Sequence, residues 1–123
     1  MESRIKTGYQ AIMRNVLVVL FLGILTAMLY VTTTASLDRG VFVAGSQLWP
    51  DPWFRATLAD AYFGFITFYV WVVYKERSLA PRIIWFVLIM AFGNIAMSIY
   101  VLAKLFKLEP SESVEALLLR RST

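Results

Sequence analysis

Three long apolar runs separated by short polar connections dominate the chain, and their lengths set the first expectation. They are NVLVVLFLGILTAMLYVTTTAS at 15–36, WFRATLADAYFGFITFYVWVVY at 53–74 and IIWFVLIMAFGNIAMSIYVLAKLF at 83–106. A helix crosses a hydrocarbon core of roughly 30 Å with about 20 residues, so each run predicts a transmembrane helix. The expected fold class is all-α, an integral membrane bundle of three transmembrane helices. Little of the 123-residue chain is left for a soluble domain, so 1–123 reads as a single membrane domain.

The connections predict starts and turns. Asp51 precedes Pro52 and can cap a helix in which proline takes the first position, where its missing N–H is harmless. KERSLAPR is short enough to fold helices two and three into an antiparallel hairpin. After Leu108, the stretch EPSESVEALLLRRST has Ser111 or Ser113 to cap, Glu112 and Glu115 in a first turn, and Arg120 and Arg121 in a last turn. It predicts a short C-terminal interfacial helix at about 111–121, with Val114, Leu117 and Leu118 on its apolar face, resting on the membrane or docking a partner. The first apolar run is too long for a signal-peptide core and reads as an uncleaved anchor.

Composition narrows the chemistry. The chain is 59% hydrophobic and 15% aromatic, with no cysteine and no histidine. Disulfides, thiol redox chemistry, the usual zinc sites and imidazole ligation of haem or chlorophyll are thereby excluded, so no cofactor is held through His or Cys. The net charge of +4 is spread without a basic tract, which argues against nucleic acid as a partner. Arg4, Lys6 and Arg14 before the first run, with Lys75, Arg77 and Arg82 after the second, predict a cytoplasmic N-terminus in a bacterial inner membrane. Three crossings would then leave Lys104, Lys107, Arg120 and Arg121 outside, against the same rule.

Polar residues inside the runs are the candidate chemistry. At about 1.5 Å of rise per residue, Asp60, Thr26, Tyr30, Asn94 and Ser98 fall at a similar depth in three antiparallel helices. Three readings compete. Asp60 is satisfied by Tyr30, Asn94 or Thr26, or pairs with Arg55, and fixes the packing. Alternatively, it lines a site for a lipid, quinone or pigment headgroup or for another subunit. Catalysis is the weakest, because no second strong acid or base stands beside Asp60; no catalytic residue and no metal ligand is assigned. Trp49 and Trp53 at one interface, Tyr74 and Trp85 at the other, fit an ordinary aromatic belt.

WFRATLADAYFGFITFYVWVVYKE, the PRIIWFVLIMAFGNIAMSIYVLAKLFKL segment and LEPSESVEALLLRR also resemble a small family of membrane proteins of bacteria and plants, the domain of unknown function 1475 family. Thr57, Leu58, Asp60, Tyr62, Tyr74, Lys75, Glu76, Gly93 and Asn94 carry that resemblance, which covers about two thirds of the chain. It implies a membrane fold and draws attention to those residues, and it implies no activity. The expected function is therefore non-enzymatic: an accessory or scaffolding subunit of a larger membrane complex, extending to an energy-transducing one, photosynthetic or respiratory. Its expected partners are membrane lipids and other membrane-protein subunits, with lipid, quinone or pigment against its aromatic surface. The alternative is a lipid- or isoprenoid-modifying membrane enzyme or carrier using Asp60 and Tyr30.

Overall fold

The computed structural model describes residues 2–120. Its elements are α1 (Glu2–Asp38), α2 (Val41–Leu48), α3 (Pro52–Lys75), α4 (Leu79–Phe92), α5 (Asn94–Phe106) and α6 (Glu115–Leu118), with no strand among the described residues. The all-α class is as expected, and the number of long helices is not.

Helix α1 begins well before the apolar run and continues for 37 residues. Nothing in ESRIKTGYQAIMRN stops it, since that segment has no proline. Within the connection at 37–52, VFVAGSQL forms α2 after Gly40 takes an extended conformation. Helix α3 starts as its cap predicts. The Asp51 side chain accepts a hydrogen bond from the Trp53 amide at 2.9 Å, and Pro52 occupies the first turn.

The run at 83–106, expected as a third crossing, is broken at Gly93. That residue has φ 55° and ψ −123°, a conformation that a β-carbon disfavours. A β-carbon there would also lie 2.6 Å from the Phe65 ring. The resulting helices have 14 and 13 residues, each about 20 Å long and too short to cross. They fold back on each other. The Trp85 and Tyr100 rings meet edge to face at 4.9 Å, whereas a continuous helix would hold them about 22 Å apart. Among the described residues two helices, α1 and α3, are thus long and apolar enough to cross a membrane, not three.

The α4–α5 hairpin fills the space beside α1 and α3. Along α3 and α4, the Tyr62 hydroxyl donates to the Met90 carbonyl and the Tyr69 hydroxyl to the Arg82 carbonyl, so these helices are antiparallel. Val72, Ile89, Ala96 and Tyr100 form one buried cluster. Helix α5 makes its most extensive packing with α1, where Leu17, Val18 and Phe21 meet Val101 and Leu105 in a second cluster that includes Leu108 and Leu117.

The C-terminal helix expected at 111–121 is reduced to the four residues of α6, and Arg121 lies outside the described residues. Instead of floating on its apolar face, the segment is strapped to the protein. Leu117 is buried, the Val114 amide donates to the Gln10 side chain at 2.7 Å, and Arg14 donates to the Glu109 carbonyl at 2.6 Å. Because the hairpin turns back at Gly93, the C-terminal segment shares an end with the start of α1. Three crossings would have put it at the opposite end.

Candidate functional site

The slab expected around Asp60 is not assembled. Asp60 is exposed on α3, and no hydrogen bond or ion pair joins it to Tyr30, Thr26, Asn94 or Arg55. Tyr30 is 71% exposed on α1, Thr26 and Asn94 are exposed, and Ser98 alone of the group is buried, within α5. Arg55 lies over the Trp49 ring at 6.0 Å. The break at Gly93 sends Ser98 and the rest of α5 back toward the opposite end.

The aromatic anchors divide in the same way. Trp49 and Trp53 are exposed at the α2–α3 end. Trp85 packs into the hairpin core against Tyr100. The Tyr74 ring lies under the Arg120 guanidinium at 5.2 Å while its carbonyl accepts from Arg120 Nε at 2.6 Å.

What the structure does assemble is a polar cluster where α3 ends and α5 returns. Glu76, the residue that caps α3, has its carboxylate 2.6 Å from Lys104 Nζ, and both side chains are largely removed from solvent. The Tyr100 hydroxyl donates to the same Glu76 oxygen at 3.1 Å, and Arg82 Nε donates to the Glu76 carbonyl at 2.9 Å. Lys104 also sits over the Tyr100 ring at 5.2 Å. Burial pushes the Glu76 carboxyl up, but the Lys104 bond and charge, the Tyr100 hydroxyl and the Lys107 charge outweigh it and hold the group below its ordinary value.

A cavity of about 240 Å³ opens beside this cluster, lined by Lys75, Glu76, Arg77, Ser78, Lys104, Lys107 and Leu108. Next to it the C-terminal strap is stitched to the end of α3. Trp71 Nε1 donates to the Leu118 carbonyl, and Lys75 Nζ donates to the carbonyls of Ala116 and Leu119. These carbonyls belong to the one-turn helix and the chain leaving it, where the backbone supplies no acceptor's partner of its own. Among the described residues no group of His, Cys, Asp or Glu side chains could hold a metal ion. The arrangement offers charge and hydrogen-bond donors.

Sequence reasoning passed over Glu76 as a site residue although it stood in the Tyr74-Lys75-Glu76 stretch. The signal was a carboxylate surrounded by cations, Lys75, Arg77 and Arg82, immediately after an apolar run. Lys104 and Lys107 could not be added to it while a third crossing carried them to the other end.

The model of the family described as "Protein of unknown function (DUF1475)" matches residues 5–122, and the chain belongs to that family. No curated protein and no solved structure matches the chain.

Proposed function

We propose that this chain is a non-enzymatic, membrane-integral subunit that assembles with another membrane protein through the half of the molecule around Asp60. The apolar windows of α1 and α3 are 0% and 6% buried, whereas the core helix of a soluble protein would be mostly covered. Lipid or a partner protein is the environment that favours such surfaces. A cleaved signal is disfavoured too, because Leu17, Val18 and Phe21 of α1 help to build the core against α5.

Charge supports an orientation. Among the described residues, Arg4, Lys6, Arg14, Lys75, Arg77, Arg82, Lys104, Lys107 and Arg120 gather at one end, and Arg39 and Arg55 stand toward the other. Two crossings and a hairpin that returns satisfy the positive-inside rule where three crossings would break it, with both terminal segments on the cytoplasmic side of a bacterial inner membrane.

Asp60 is the observation that carries the reading. An aspartate costs about 2.5 to 3.5 kcal/mol at the centre of a membrane helix on insertion scales and less toward the interface, and Asp60, in the first half of α3, has no donor among the described residues. A donor on a neighbouring subunit would remove that penalty and fix the register of the complex. The exposed rings of Trp53 and Phe63 on the same helix suit contact with lipid, quinone or pigment, as in an energy-transducing assembly. An enzyme or carrier built on Asp60 and Tyr30 would need the two together, and no hydrogen bond joins them.

Purification in mild detergent tests this. The chain should co-migrate with a larger membrane complex, and Asp60→Asn should release it while leaving the isolated chain folded. A native mass corresponding to the lone monomer would overturn the proposal.

A further inference from the structure

We infer that the basic cavity between the end of α3 and the end of α5 is a binding site for a phosphoryl anion, and that its occupant is the headgroup of an anionic phospholipid. The inference rests on the membrane reading above and is independent of the partner proposed for Asp60.

Among the described residues the cavity wall holds four cations, Lys75, Arg77, Lys104 and Lys107, and one carboxylate, Glu76. That carboxylate is already committed, because its oxygen takes both Lys104 and the Tyr100 hydroxyl. The pair fixes Lys104 in the wall that Arg77 and Lys107 also line. Arg77 and Lys107 are exposed, at the rim, and Ser78 adds a hydroxyl. A volume of about 240 Å³ holds a phosphate group with its glycerol and leaves no room for an acyl chain, which would have to leave through the open side. Guanidinium and ammonium groups converging on one space are suited to phosphate oxygens, with the arginine able to bind two of them at once.

Position selects lipid over free phosphate. The cavity lies where the apolar stretch of α3 stops at Lys75 and where the apolar helix α5 stops at Phe106. In a membrane both ends coincide with the headgroup layer of the cytoplasmic leaflet, the layer that draws juxtamembrane cations to anionic lipids. A lipid held there would tie the hairpin, the end of α3 and the C-terminal strap together, because Lys75 belongs to both the cavity wall and the strap's hydrogen bonds.

The test uses the full chain in neutral detergent, with dioleoyl phosphatidic acid, dioleoyl phosphatidylcholine and inorganic phosphate as probes. Native mass spectrometry should show one retained phosphatidic acid, with phosphatidylcholine retained at least about tenfold less well, and the Tm should rise with the former only. Arg77→Gln with Lys107→Gln should weaken retention by roughly tenfold or more, the loss expected for two charge-assisted contacts, while Lys6→Gln should not. Equal retention of both lipids, or retention unchanged in the double variant, overturns the site. Stabilisation by inorganic phosphate without lipid retention overturns the lipid as occupant. Extraction of the chain from membranes by alkaline carbonate would defeat the membrane reading, and the phosphate arm would then still read the cavity by itself.

Discussion

The two halves of this molecule solve the problem of polar groups in an apolar chain in opposite ways. Toward the basic end, the Glu76 carboxylate, the Tyr100 hydroxyl and the Lys104 ammonium find one another, and every fully buried side chain of the described residues belongs to Val72 or later. Toward the other end, α2, the start of α3 and the second half of α1 contain no buried residue, and Asp60 has no donor among the described residues. An internal network stabilises the fold it belongs to; an unsatisfied carboxylate on an uncovered helix contributes only once something else arrives. The basic half is therefore the folding unit, and the open half is the surface that the proposed function assigns to lipid and partner.

Gly93 maintains the division, so its replacement should have the largest effect. Gly93→Ala adds a methyl group at φ 55° and drives it to 2.6 Å from the Phe65 ring. Backbone strain of about 1 to 3 kcal/mol and overpacking of similar size together predict destabilisation of about 3 kcal/mol or more. The relaxed alternative is one continuous helix that carries the C-terminal segment to the other side. The chain has no cysteine, so Ser113→Cys gives a clean reporter. Labelling from the side that also labels Thr7→Cys is expected in the parent, and loss or reversal of that pattern in the alanine variant. An unchanged Tm with unchanged labelling would refute the hinge.

Next in size is the strap. Leu117 is 6% exposed in the cluster shared by α1 and α5, and its truncation should remove about 2 to 3 kcal/mol, within the range for buried leucine. Trp71 loses its order with it, because its indole N–H bonds to Leu118. Leu117→Ala should therefore change tryptophan fluorescence and expose the segment after Glu109 to protease before global unfolding. A tail that stays resistant would show the strap to be held by its hydrogen bonds alone.

The ion pair comes third. With both side chains mostly covered, Lys104→Met should cost about 2 kcal/mol, between the values for exposed and fully buried pairs, and adding Glu76→Gln should restore part of it. The sign of the pH effect follows. The Glu76 carboxyl is held below its ordinary 4.5 in the folded protein, so its stabilisation is full above that pH and fades as the pH falls below it. Lys104, Lys107 and Tyr100 face this carboxyl, and Arg82 bonds the backbone carbonyl of the same residue. The parent Tm should drop more than that of Glu76→Gln between neutral pH and about pH 4. Parallel pH curves would remove Glu76 from the account.

These positions also mark how far the sequence could be read. The start of α3 was legible because Asp51 and Pro52 act within a turn of where they stand, and the helical class because the apolar runs leave no other solution. A glycine inside an apolar run is ordinarily tolerated by a helix, so GNIAMSIY gave no local sign of a reversal. The reversal is favoured by contacts distant in sequence, with Phe65 closing over Gly93 and Tyr100 reaching Glu76 across 24 positions. Once the hairpin was missed, the cluster at Glu76 was unreadable and the slab at Asp60 looked complete. One backbone angle decided both.

The smallest expected effect on the isolated chain belongs to Asp60, and it is the sharpest test of the contrast. An exposed carboxylate with no partner gives up little on conversion to the amide, so Asp60→Asn should shift stability in detergent by no more than about 0.5 kcal/mol. The same change should abolish association in the membrane if a neighbour's cation or hydroxyl is what receives the charge, since the amide retains shape and loses the ionic share of the contact. A Tm that falls with the amide would mean Asp60 is satisfied within its own chain, and the open half would then be part of the folding unit. A complex that survives the substitution would leave the exposed apolar faces of α1 and α3 to hold the partner by packing alone, as helices in lipid commonly do.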